Sequence, residues 1–199
     1  MVTFTLYIEG GGDNRRLAAQ FREGWTRFLA AAGLSGRMPR VVRGGSREQT
    51  FKQFTTEVAK PKPGTLPLLL VDSEVPVAAE HSVWEHLHAH DCWTRPASTD
   101  DDDAFLMVQA METWFLADRD AMRAYFGPRF VESALRRWPE LEAVPKATVF
   151  DALERATAGC PKRYSKSKVS FELLAQVDPT RVKAKCPHAK ALLKRLKTS

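Results

Sequence analysis

The hydrophobic and polar positions change rhythm along the chain, and that rhythm predicts its elements. Residues 2–9, VTFTLYIE, are β-rich and run directly into Gly10, Gly11 and Gly12, which predicts a strand closed by a tight turn. Asp13 is placed to cap a helix in which Leu17, Phe21, Trp25, Phe28 and Leu29 recur at three- and four-residue intervals. Gly33 and Gly36 end that helix, and residues 39–43 form a short second strand. Gly44, Gly45 and Ser46 open a second helix through Phe51, Phe54 and Val58, and the proline-containing stretch 61–63 stops it. Residues 66–71, LPLLLV, are almost wholly apolar. Such a run fits a strand covered on both faces, as in a parallel sheet.

Strand, helix, strand, helix, strand in this order predicts a doubly wound α/β sheet. Residues 80–92 extend the pattern as a helix and 105–108 as a fourth strand. Between them, 98–103 reads as a solvated, flexible linker, because the like charges of Asp100 to Asp103 repel one another. From Glu112 onward the pattern is helical, at 114–117, 119–125, 131–138, 148–157, 170–175 and 188–196. The predicted fold class is α/β, a sheet of four mainly parallel strands with flanking helices and a helical C-terminal extension. The chain divides into a core over 1–118 and a helical, basic part over 119–199 packed on it.

Composition narrows the function classes. Of 199 residues, 44% are hydrophobic and 27% charged, enough apolar material for a real core and too much for wholesale disorder. No apolar run approaches the ~20 residues of a membrane-crossing helix, and the N-terminal segment has no basic-then-apolar signal pattern. The expectation is a soluble, cytoplasmic protein that does not engage a membrane. Cys92, Cys160 and Cys186 are odd in number and lack paired spacing, which argues against a disulfide framework and a CxxC zinc site; Cys92 reads as a small packing residue. His86 and His90 share a helix face but have no third ligand at a fitting spacing, so they read as a polar flank. Neither a Walker motif nor a dinucleotide fingerprint is present.

Charge is unevenly distributed. The chain carries a net +6, yet residues 155–199 hold 12 Lys and Arg against Glu172 and Asp178, a net +10, leaving −4 for residues 1–154. A concentrated positive segment attracts polyanions, nucleic acid first among them.

The candidate chemistry lies at two strand ends. Glu9 closes the first strand, and Asp72 with Glu74 closes the third. In an open α/β sheet, ligands bind beyond the carboxyl ends of strands, where strand order reverses. Carboxylates converging there repel one another unless a cation or proton neutralises them, and hard oxygen ligands suit Mg²⁺ or Mn²⁺. Gly10, Gly11 and Gly12 allow the backbone close to a phosphate, which the amides opening the next helix favour. Metal and phosphate together point to phosphoryl-transfer chemistry. Glu112, following the fourth strand, reaches the same edge if that strand neighbours the first or third; otherwise it is an acid in the first turn of a helix.

Leu6-Tyr7-Ile8-Glu9-Gly10-Gly11-Gly12-Asp13 and Leu68-Leu69-Leu70-Val71-Asp72-Ser73-Glu74 resemble the two motifs of the Toprim domain. That domain is shared by topoisomerases, bacterial primases and the overcoming-lysogenisation-defect nucleases. Residues 86–96, 105–118 and 164–174 are similar to a bacterial family of uncharacterised Toprim-like proteins, a domain of unknown function. The resemblance implies Mg²⁺- or Mn²⁺-dependent phosphodiester cleavage. Glu9 is then general acid/base or metal ligand, Asp72 holds the metal, and Asp13 assists. Glu74 stands where an aspartate is usual, one methylene farther out. Lys166 or Lys168 corresponds to a lysine that stabilises charge on the phosphate in related nucleases; the alternative is that the two begin a basic, solvent-facing helix. The resemblance also implies a separate ATPase partner in phage defence. The rival expectation is a non-catalytic module that keeps the fold and binds nucleic acid or protein; hydrolysis or transfer on a small phosphorylated molecule is a third.

Overall fold

A computed structural model describes residues 3–10, 15–166 and 168–198. The expected positions Gly11, Gly12 and Asp13 lie outside the described residues. Four strands, β1 (Thr3–Glu9), β2 (Arg40–Gly45), β3 (Thr65–Asp72) and β4 (Ala104–Met107), form a wholly parallel sheet in the order β2-β1-β3-β4. The α/β class and the four-strand sheet with flanking helices are as the sequence predicts.

Period-two alternation sends each strand's side chains to two separate cores. Phe4, Leu6, Ile8, Leu68, Leu70, Phe105 and Met107 face the larger one, shared with α1 (Arg15–Leu29) and the C-terminal helices. Tyr7, Leu69, Val71, Ala104 and Leu106 face the other, closed by Phe54 and Val58 of α2 (Arg47–Val58) and by Trp84 and Leu87 of α3 (Val83–Asp91). Both α2 and α3 start in capping boxes, Ser46 with Gln49 and Ser82 with Glu85, each satisfying two otherwise orphaned amides. A π-helical turn at Ala30–Leu34 finishes α1.

The C-terminal part comprises α4 (Arg119–Phe126), α5 (Lys146–Thr157), α6 (Lys168–Leu174), α7 (Pro179–Lys185) and α8 (Pro187–Arg195). Their apolar residues, including Val149, Leu153, Phe171, Leu174, Val182 and Leu192, merge into the same core as Trp25, Phe28 and Trp114.

Several local expectations are corrected. Residues 131–138 are not a helix but a single 3₁₀ turn at Glu132–Ala134 followed by irregular chain; Val131 is 48% exposed, so the segment has no continuous apolar stripe to bury. Conversely α7 is not among the elements the pattern predicts, because only Pro179 and Val182 are buried in it, too few to show a helical period. Asp100, Asp101 and Asp102 are exposed, as expected of a solvated connection, but Asp103 is not. Residues Asp101–Asp103 form a 3₁₀ turn in which the Asp103 carboxylate is buried, accepting the Asp100 amide at 2.9 Å and facing Arg195 Nη2 at 3.4 Å. Cys92 is an exposed C-cap residue with φ 58°, not a packing residue. Helical residues 114–117 belong to a longer 3₁₀ segment, Met111–Ala117, whose Trp114, Phe115 and Leu116 are core.

Candidate metal centre

Strand order alone brings the two acidic motifs together. The chain leaves β1 for β2 on one side and returns to β3 on the other, so the carboxyl ends of β1 and β3 flank the point where strand order reverses. The register Ile8↔Leu70 places Glu9 beside the end of β3. One carboxylate oxygen each from Glu9, Asp72 and Glu74 lies within 4.8 Å of the others. This is the arrangement the sequence predicts for those three residues.

Main-chain groups fix the acids. The Asp72 amide donates to Glu9 Oε2 at 3.1 Å, and the Met111 amide donates to Asp72 Oδ1 at 3.0 Å. The Glu74 amide donates to the Gln109 carbonyl at 3.0 Å and holds Glu74 in the left-handed region, φ 66°. A non-glycine residue there costs of order 1–3 kcal/mol, which the surrounding bonds must offset. Ser73, between the two acids, gives its carbonyl to His86 Nε2 at 3.0 Å, which accounts for the buried histidine.

Among the described residues, two cations face the cluster. Arg47, at the start of α2, makes a two-pronged pair with Asp91 (Nε–Oδ1 2.7 Å, Nη2–Oδ2 2.6 Å), reaches Glu9 Oε2 with Nη1 at 3.2 Å and also donates to the Asp72 carbonyl. Its guanidinium lies 5.1 Å from the centre of the Trp93 ring, a cation–π contact. Lys146, the first residue of α5, places Nζ 2.6 Å from Glu74 Oε1 and 3.4 Å from Asp72 Oδ2.

The electrostatics show how crowded the negative charge is. Burial, then repulsion from Glu9, Glu112 and Glu74, pushes the Asp72 carboxyl up to about 8, against the pull of Lys146. Burial also raises Glu9, partly countered by Arg47. For Lys146, burial works to discharge the ammonium, but Asp72 and Glu74 outweigh it and the pKa rises. Carboxylates crowded enough to push one another's pKa upward mark a cluster short of positive charge, and an all-oxygen donor set of this kind fits a hard divalent cation.

A cleft of about 420 Å³ opens from this cluster, with Glu9, Gly10, Arg47, Asp72, Glu112 and Lys166 in its wall. Gly10 is required by close approach: a Cβ there would meet Phe21 Cε2 at 2.8 Å. Glu112 lines the cleft but is not one of the three clustered acids; its Oε1 accepts from Tyr164 Oη at 3.0 Å and Ser170 Oγ at 2.8 Å. Lys166 and Lys168 are both exposed; Lys166 lines the cleft, Nζ 5.3 Å from the Phe150 ring centre, whereas Lys168 does not line it and lies 3.9 Å from Glu172. His86 and His90 stack at 6.1 Å and join no metal-ligand group among the described residues.

Arg47, Asp91, Lys146 and Gln109 are not singled out by the sequence pattern. Arg47 carries a usable signal, since it opens the helix after β2 and every such helix start lies at the sheet's carboxyl edge. Lys146 has none: it is 72 residues beyond Glu74. Comparison with curated proteins and with solved structures finds no match. A family model matches residues 8–197, nearly the whole chain, and the protein therefore belongs to that family, the domain of unknown function DUF4276.

Proposed function

We propose that the protein is a Mg²⁺- or Mn²⁺-dependent phosphodiester-cleaving enzyme of Toprim type. The observation that carries the reading is the convergence of Glu9, Asp72 and Glu74 within 4.8 Å at the strand-order reversal, with Glu9 and Asp72 on the wall of an open cleft. Those three carboxylates are the residues that would hold the ion. When bound, a divalent ion supplies Lewis-acid polarisation of a phosphoryl oxygen and a lowered pKa for water.

The chain's own groups contribute the rest. Arg47 and the Asp72 amide fix Glu9 Oε2, so the glutamate is held in one orientation at the cleft. Were the ion held by Asp72 and Glu74 alone, Glu9, which burial shifts upward in the metal-free protein, would be the group to take and return a proton. Of Lys166 and Lys168, Lys166 lines the cleft, and to it we assign the contact with a phosphate. Nucleic acid is the proposed substrate, and the ATPase partner and role in phage defence belong to the same proposal.

One observation favours the rival, a non-catalytic module: Arg47 and Lys146 already face the three acids, as they would in a purely structural charge cluster. The experiment that separates the two combines stability with cleavage. Mn²⁺ at a hundred times its Kd should stabilise the wild type by about 2.7 kcal/mol, which for a chain of this length raises Tm by roughly 5–10 °C, and should leave Asp72→Ala unmoved. Plasmid DNA or tRNA incubated with Mn²⁺ should be cut by the wild type and spared by Glu9→Gln. Salt-dependent binding without cutting under any divalent ion would establish the module instead.

A further inference from the structure

Lys146 occupies the oxygens that the proposed function gives to a metal. Asp72 Oδ1 is held by the Met111 amide at 3.0 Å, so Oδ2 is the oxygen left for a cation, and Lys146 Nζ faces it at 3.4 Å while lying 2.6 Å from Glu74 Oε1. The lysine's own helix does not explain its position. Lys146 is the first residue of α5, a helix of 12 residues, and the amino end of a helix disfavours positive charge. The carboxylates hold it there. Its backbone is anchored independently, the amide donating to Gln109 Oε1 at 3.1 Å. Its side chain is 18% exposed, so it borders solvent and is not sealed in the core.

Resting on the metal-centre reading, we propose that Lys146 is an internal placeholder cation. It pairs with Glu74 and covers Asp72 Oδ2 in the metal-free protein and must leave them for a divalent ion to bind. Two like-signed cations sharing the same pair of carboxylates would repel at a few ångströms in a partly buried site, so occupancy is exclusive. Metal affinity is then set by competition with the chain's own ammonium, and the acids are never left bare between binding events.

The test is Mn²⁺ titration calorimetry on the wild type, Lys146→Met and Asp72→Ala, with no nucleic acid present. Methionine keeps the aliphatic stem and removes the competing charge, so Lys146→Met should bind Mn²⁺ about tenfold tighter or more than the wild type, and Asp72→Ala should not bind. Equal or weaker binding by Lys146→Met overturns the placeholder and leaves the metal centre standing. Absence of Mn²⁺ binding in both wild type and Lys146→Met overturns the two together. A measurement on the wild type alone guards against a variant that does not fold: reductive methylation of lysines read by mass spectrometry, with exposed Lys168 as internal reference. Labelling of Lys146 should rise several-fold when Mn²⁺ saturates the protein; labelling that stays unchanged overturns the inference.

Discussion

Burial, followed by the neighbouring Glu9, Glu112 and Glu74, holds the Asp72 carboxyl at about 8 against an ordinary value of 3.8. The folded protein therefore keeps a proton that the unfolded chain releases. A group with a raised folded pKa stabilises fully below its unfolded pKa, and that contribution is lost as pH rises through the folded value. Metal-free protein should lose stability progressively from about pH 4 to about pH 8, and Glu9, shifted in the same direction, adds to the slope. Asp72→Asn preserves the neutral form and an acceptor for the Met111 amide. Thermal unfolding across this range should give the variant a flatter profile than the wild type and a higher Tm at pH 8. Parallel profiles would mean that Asp72 is ionised throughout and that Lys146 and Arg47 already balance the cluster.

Helix α6 builds one wall of the cleft, and a single glycine lets it approach. A Cβ on Gly24 of α1 would stand 2.6 Å from the Phe171 carbonyl oxygen of α6. Glycine to alanine inside a helix ordinarily gains about 1 kcal/mol, but here the two backbones touch and the sign reverses. Gly24→Ala should cost about 1–3 kcal/mol, as overpacking does, and lower Tm by several degrees; an unchanged or higher Tm would show that α6 moves away freely. The helix also carries Ser170, which holds Glu112, so the approach of the two helices bears on the site. Elements of this kind are unequally legible in the sequence. β1 and β3 are readable because a strand's pattern is local and each ends in an acid, and α1 because Phe21, Trp25, Phe28 and Leu29 mark its buried face. The Gly24–Phe171 approach is not, since it joins residues far apart in sequence with no shared pattern. Lys146 is hidden for the same reason: a charged residue after Pro145 looks like any exposed helix start until the fold brings it to Asp72 and Glu74.

Across the whole molecule, positive charge and acidic site are largely separated. The sequence's excess of lysine and arginine in residues 155–199 suggests a basic surface beside the carboxylates, yet of this segment's lysines Lys166 is the one that lines the cleft among the described residues. The end of α8 lies elsewhere: Arg195 sits over the Phe4 ring at 5.1 Å and reaches Asp102 and Asp103. Phe4 is the second residue of β1 and Asp103 precedes β4, so this is the amino edge of the sheet. From Phe4 to Glu9 the strand advances about 16 Å at the usual rise per residue. Arg37, whose Nη1 donates to the Lys197 carbonyl at 3.3 Å, extends the basic surface on that edge. A nucleic acid bound as proposed would then use two regions, the cleft for chemistry and the outer face of α8 for electrostatic attachment. Lys190 and Lys194 are exposed, form no ion pair among the described residues and share a helix face at i, i+4. Replacing both with glutamine should weaken binding of a labelled oligonucleotide, measured by anisotropy over a salt series. The slope of log K against log salt should fall by roughly two, about 0.9 for each phosphate that is no longer neutralised. Mn²⁺ affinity should not change, because neither lysine reaches the carboxylates. If the double variant keeps the wild-type salt slope, attachment does not use α8, and the cleft with Lys166 and Arg47 must supply whatever polyanion affinity the protein has.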